Sequence, residues 1–130
     1  MANILITEDD DAVRSFVARA LEMDGHHIVT AVDGEHGFDC LQAENGEFDL
    51  LLSDIKMPFM DGIELAHAVS ERWPEVRILM MTGFADQRER AEDLDAVIVD
   101  VVSKPFTLAE IRSQVRRALA FTPQDLRQSA

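Results

Sequence analysis

The residues of this chain best suited to chemistry stand where apolar runs stop. Ile4-Leu5-Ile6 leads into Glu8 and Asp9, and the run FDLLLS at 48–53 stops at Asp54. Val76 to Met81 gives way to Thr82, and a last apolar stretch, Val97 to Val102, to Lys104-Pro105. If these runs are parallel strands, their carboxyl ends share one rim, the place where open α/β sheets bind ligands. Two carboxylates 4 Å apart repel by about 4 kcal/mol at an effective dielectric of 20, so three of them need a countercharge. Mg2+ suits such a set, because it takes a few carboxylate oxygens, keeps several waters and bridges to phosphate. A carboxylate is also a nucleophile toward phosphorus, while a lysine neutralises the transferred oxygens and a threonine hydroxyl donates to them. The set is thus suited to phosphoryl transfer onto Asp54, with Lys104 and Thr82 contacting the group.

The elements that must position these residues alternate along the chain. Ile4-Leu5-Ile6 reads as a short buried strand. Val13, Phe16, Val17, Ala20 and Leu21 then recur at helical spacing up to a stop at Gly25. A strand at Ile28 to Ala31 precedes Asp33-Gly34 and a helix carrying Phe38 and Leu41. The run at 48–53 has the continuous apolar character of a central parallel strand. IKMPFMDG after Asp54 reads as loop, and Ile63, Ala66 and Val69 as a helix closed by Trp73-Pro74. Strands are expected at Val76 to Met81 and Val97 to Val102, around a weakly docked helix at Asp86 to Asp95 offering only Ala91 and Leu94 to the core. Thr107-Leu108-Ala109-Glu110 has the pattern of a capping box. It starts a helix with Ile111, Val115, Ala118 and Leu119 on its buried side, ended by Thr122-Pro123. Five strands alternating with five helices predict an α/β, doubly wound, flavodoxin-like parallel sheet covered on both faces, with right-handed crossovers.

Composition narrows the partners. The chain has 130 residues, 47% hydrophobic and 28% charged, which suits one domain, expected at 1–121, with a short polar tail at 122–130. Lys and Arg total 12 against 25 Asp and Glu, a formal charge of -13, so nucleic acid and anionic membranes are not expected as direct partners. One cysteine, Cys40, permits no internal disulfide, and no 18-residue apolar run or signal-peptide pattern opens the chain. A cytoplasmic protein is expected.

In order along the chain, the acidic pair Glu8-Asp9, D-x-x-M-P-x-M-D-G from Asp54 to Gly62, Thr82, and K-P-F from Lys104 to Phe106 resemble the CheY-like receiver domain of two-component response regulators. The resemblance covers residues 2 to about 121. It implies strand order 2-1-3-4-5, Asp54 as phosphoacceptor, and Glu8, Asp9, Asp54 and the backbone carbonyl of Lys56 as Mg2+ ligands. It further implies Thr82 and Lys104 as phosphoryl-contacting switch residues and a cis peptide bond at Pro105. The family often carries an aromatic residue three positions before its lysine; here that position is Val101, which puts an aromatic rotamer switch in doubt. Lys56 and Phe84 bring no acid or amide to orient an attacking water, so slow autodephosphorylation is expected. No output domain is expected after the last helix, so signalling should proceed by docking. TEDDDAVRSFVARALE, SDIKMPFMDGIELA, MTGFA and VSKPF most resemble the stand-alone CpdR-type receivers. That implies phosphate from a histidine kinase or histidine phosphotransfer protein, and control of ClpXP-dependent proteolysis through ClpX.

Plainer readings stand beside these. Asp10 and Asp11 suit helix capping better than metal ligation, and Asp61 suits a loop or cap. His26 and His27 should face opposite ways, His36 and His67 lack a partner at ligand spacing, and Cys40 suits a small helix hydrophobe. Two other functions use the same pattern. One is a small Mg2+-dependent phosphohydrolase, for which no second acid follows Asp54 at short spacing; the other is an adaptor that never receives phosphate.

Overall fold

The computed structural model describes residues 1–83 and 97–121. Five parallel strands form one sheet: β1 (Asn3–Thr7), β2 (His27–Ala31), β3 (Leu50–Asp54), β4 (Arg77–Thr82) and β5 (Asp100–Ser103), in the order β2-β1-β3-β4-β5. The described helices are α1 (Asp11–Met23), α2 (Gly34–Ala43), α3 (Gly62–Arg72) and α4 (Leu108–Ala120). The helix expected at Asp86 to Asp95, with Ala91 and Leu94, lies outside the described residues, as do Phe84 and the tail beginning at Thr122-Pro123.

The alternation of side chains across the pleat explains why both faces are covered. Leu5, Leu51, Ile78 and Met80 point to one face and pack with Leu41 of α2 and Leu65, Ala66 and Val69 of α3. Ile4, Ile6, Leu50, Leu52, Leu79 and Met81 point to the other, against Val17, Ala20 and Leu21 of α1 and Ile111, Val115 and Ala118 of α4. Every residue of β3 is buried, as its continuous apolar run demands. Cys40 is half-buried against the first layer, and burial raises its thiol pKa.

Polar caps fix where the helices begin. Asp10 accepts from Ala12 and Val13 at the start of α1, and Asp33 accepts from His36 at the start of α2. Asp61 with Glu64, and Thr107 with Glu110, form capping boxes at α3 and α4. Gly25, at φ 86°, follows the end of α1. Asp24 at that end pairs with Arg112 of α4 (Oδ1 to Nε 2.9 Å), which joins two helices of one layer and lowers the Asp24 pKa.

The structure departs from the sequence reading at three places. The last strand is shorter than Val97 to Val102: Val99 N–H donates to Ile78 O at 2.7 Å, but paired strand begins only at Asp100. Val76 is buried yet precedes β4, because its N–H donates back to Trp73 O in the turn after Pro74. Phe16, expected on the buried stripe of α1, is 39% exposed at the edge of that stripe and stacks on Phe106, ring centroids 6.4 Å apart.

One close approach ties the fold to the site. A Cβ built on Gly62 would lie 2.1 Å from the backbone oxygen of Asp54, and the Gly62 N–H donates to Ile55 O at 2.7 Å. Gly62→Ala must therefore displace the backbone that carries Asp54, at a cost of about 1–3 kcal/mol typical of overpacking. Urea denaturation should show a lower midpoint for Gly62→Ala than for the parent chain; an unchanged midpoint would contradict the packing described.

Candidate phosphoacceptor and metal site

The parallel register carries the chemistry-bearing residues to one edge of the sheet. β1 and β3 pair with Thr7 opposite Ser53, so the next residues, Glu8 just beyond β1 and Asp54 at the end of β3, stand side by side. Asp54 pairs with Met81, which sets Thr82 beyond it, and Thr82 pairs with Ser103, which sets Lys104 beyond that. The Lys104 N–H continues the ladder by donating to Thr82 O at 2.7 Å. The Lys104–Pro105 peptide bond is cis.

Glu8 is fully buried and Asp54 is 6% exposed, whereas Asp9 reaches solvent. Glu8, Asp9 and Asp54 each offer a carboxylate oxygen, all within 4.8 Å of one another. The Lys104 ammonium answers two of the three, with Nζ 2.5 Å from Glu8 Oε1 and 3.3 Å from Asp54 Oδ2. Asp54 Oδ1 accepts from the Ile55 N–H at 2.9 Å, and Glu8 Oε2 from the Asp10 N–H at 3.3 Å. Thr82 is also buried, at the carboxyl end of β4.

Burial raises the Glu8 pKa; the hydrogen bond from Lys104 opposes the rise, and the nearby Asp54 charge adds to it. Asp9 is raised as well, by desolvation and then by its contact with Glu8. For Lys104 desolvation works against the charged form, yet the hydrogen bond to Glu8 and the charge of Asp54 outweigh it and the ammonium is held more firmly. Glu8 and Asp9 thus hold protons more readily than ordinary carboxylates do.

Support beneath the pocket comes from residues that the sequence reading passed over. Thr7 Oγ1 donates to Ser53 Oγ at 2.5 Å, and Ser53 Oγ donates to the Asp54 backbone oxygen at 2.8 Å. Arg14 Nη1 donates to Glu8 O at 2.8 Å. The signal for Ser53 was present: a lone hydroxyl within an apolar central strand requires a buried partner. Arg14 offered no such signal, since its spacing suits any exposed helix position.

Val101, on β5, is half-buried against the α2–α3 layer. Lys56 is exposed in the loop after β3. Asp10, Asp33 and Asp61 serve as helix caps. The imidazoles of His26 and His36 accept backbone N–H groups, of Ala2 and Val32 respectively.

A doubly wound parallel sheet with an acidic pocket at its carboxyl rim defines the class. The model of the response regulator receiver domain matches residues 4–116, and the chain belongs to that family. It is 39% identical over 119 residues to the response regulator receiver protein CpdR of Brucella abortus, covering 92% of this chain and 98% of that one. It is 34% identical over 119 residues to the KDP operon transcriptional regulatory protein KdpE of Escherichia coli, covering 92% of this chain but 52% of KdpE. The response regulator TrrA of Thermotoga maritima, solved in complex with Mg2+-BeF, superposes with a TM-score of 0.78 at 25% identity, covering 91% of this chain and 99% of that one. This chain is thus a receiver domain of a two-component system. No described helix is long and apolar enough to cross a membrane.

The raised pKa values fix the sign of a pH effect. Because Glu8 and Asp9 bind protons more tightly folded than unfolded, their contribution to stability is full below the unfolded carboxyl pKa, about 4. It is lost as pH rises through the raised folded values. In EDTA at pH 7, Asp54→Asn should therefore melt higher than the parent chain, by about 1 kcal/mol or roughly 4 °C, and the gap should close on acidification. Scanning calorimetry checks this; a lower melting temperature for Asp54→Asn would contradict net repulsion in the pocket.

Proposed function

We propose that this receiver accepts a phosphoryl group on Asp54 with the help of Mg2+ and uses the modified state to change which protein it docks on. The observation that carries this reading is the convergence of Glu8, Asp9 and Asp54 within 4.8 Å beside the Lys104 ammonium. The donor set fits Mg2+: the three groups are hard carboxylate oxygens, and the pKa values of Glu8 and Asp9 are raised. Glu8, Asp9, Asp54 and the backbone carbonyl of Lys56 would hold the ion. When bound it neutralises the pocket and the oxygens of the incoming phosphoryl group.

The chain's own residues supply the rest. Asp54, held by the Ile55 N–H through Oδ1, presents a carboxylate oxygen for attack on phosphorus. Lys104 already spans Glu8 and Asp54, so its ammonium can turn to the oxygens of the new acyl phosphate. Thr82, at the next strand end, supplies a hydroxyl to the same oxygens. Modification replaces the single charge of the Asp54 carboxylate with roughly -1.5 to -2 on the phosphoryl group, at most about one added unit. It moves that charge outward beside Glu8 and Asp9, which loosens the Lys104–Glu8 contact and alters the rim.

The phosphoryl group would come from a histidine kinase or histidine phosphotransfer protein, the usual source for receivers. Similarity to CpdR over nearly its whole length supports a stand-alone regulator whose output is docking, with ClpX and ClpXP-dependent proteolysis as the candidate output. Lys56 brings no acid or amide beside the acceptor, which supports slow autodephosphorylation.

Phosphoramidate with Mg2+ should add one phosphoryl mass per chain: Asp54 gains the O–P bond and the donor nitrogen leaves as ammonia. Asp54→Asn or EDTA should abolish the adduct, and Lys104→Met should slow its formation at least about tenfold, the usual effect of losing a charged transition-state contact. Label retained on Asp54→Asn would overturn the assignment. Catalytic turnover of a phosphate monoester would favour the phosphohydrolase instead.

A further inference from the structure

Phe59 stands out against everything around it. It lies five residues beyond Asp54 in the loop between β3 and α3, its side chain is 83% exposed, and its backbone sits at φ 67°. That region is sterically costly for a residue with a Cβ and is ordinarily taken by Gly, Asn or Asp. An exposed phenyl ring there gains nothing from the core. Sequence and backbone thus accept two unfavourable features at one position, and no packing among the described residues requires the ring.

The loop is also firmly held. Met57 is buried, and Gly62 N–H donates to Ile55 O at 2.7 Å. Met60 O accepts from Gly34 N–H at 3.1 Å, and a Cβ on Gly34 would lie 2.1 Å from that oxygen, so α2 begins directly against the loop. The ring therefore projects from a braced platform. Val32, 45% exposed, precedes α2 on the neighbouring segment and adds a second apolar side chain to this side of the rim.

Asp54 is only 6% exposed, so a protein that delivers phosphorus to it must press its own surface onto the loops surrounding the pocket. Resting on the reading of Asp54 as phosphoacceptor, we propose that Phe59 is an apolar anchor and specificity determinant for the protein that donates phosphate from a phosphohistidine. The partner has an apolar patch beside that histidine, rimmed by Lys or Arg to complement the exposed Asp9 and the chain's formal charge of -13. In the transfer the N–P bond of the donor imidazole breaks and an O–P bond to Asp54 forms. The departing nitrogen keeps the bonding electron pair and takes up a proton. Phe59 takes no part in that chemistry; it positions the donor. A rigid aromatic side chain held in place before contact is the usual form of an interface anchor.

The test compares two donors. Phe59→Gly and Phe59→Asn both suit positive φ, so each should fold and melt no lower than the parent chain. With phosphoramidate and Mg2+ both variants should take label at the parental rate. With purified, 32P-loaded histidine kinases and histidine phosphotransfer proteins of the source organism, both should lose at least about tenfold in kcat/KM toward the donor the parent prefers, and Phe59→Trp should lose far less. Parental kcat/KM with that protein donor in either variant overturns the anchor, and so does an equal loss with phosphoramidate, which would mean a damaged pocket. If the parent chain takes no label from phosphoramidate, the phosphoacceptor reading itself fails, an outcome distinct from both.

Discussion

Among the described residues, one ammonium stands against a cluster of three carboxylates and contacts two of them. Lys104 reaches Glu8 at 2.5 Å and Asp54 at 3.3 Å, yet with Asp9 in the same cluster two negative charges remain uncompensated when all are ionised. With Glu8 fully buried and Asp54 nearly so, water cannot screen that excess as it would on an open surface. The pocket must acquire positive charge, as protons or as a cation. The raised pKa values of Glu8 and Asp9 report the first possibility, and the hard oxygen set favours a divalent ion for the second. If Asp54 accepts a phosphoryl group, as proposed, the new charge enters this unbalanced field beside the ammonium of Lys104.

The fold exists, for this purpose, to enforce that crowding. Parallel pairing ends β1, β3, β4 and β5 at one rim, and backbone hydrogen bonds hold the register so that Glu8, Asp54, Thr82 and Lys104 cannot drift apart. Two apolar layers hold the sheet from both faces. Under the rim, the Thr7–Ser53–Asp54 chain of hydrogen bonds and the close contact of Gly62 with the Asp54 backbone keep Asp54 from retreating. Repulsion among the acids is therefore borne by packing elsewhere, a common arrangement at functional sites.

Much of this was legible in the residues. The apolar runs and their abrupt polar ends give the five strands, and Asp33, Asp61 and Thr107 mark three helix starts by side-chain chemistry that acts locally. The five candidate residues Glu8, Asp9, Asp54, Thr82 and Lys104 fall at or just beyond strand ends, where sequence position and spatial position coincide. What could not be read depends on contacts across the fold. Phe16 has the spacing of a core residue but lies at the stripe's edge beside Phe106, and helical period alone does not set the width of a buried face. Arg14 reaches Glu8 O from the next element, and Ser53 finds Thr7 on the neighbouring strand. The positive φ of Phe59 runs against its residue type, so no propensity would have suggested it. The start of β5 shifted to Asp100 because pairing, not hydrophobicity, decides where a strand begins.

Crowded carboxylates that hold protons readily should exchange them for a divalent cation. Calorimetric titration with Mg2+ at mildly acidic pH, repeated in two buffers of different ionisation enthalpy, measures ion binding and proton release together. One ion per chain should bind with net release of protons, and both signals should be lost in Asp54→Asn. Binding that releases no protons, or that survives unchanged in Asp54→Asn, would contradict it.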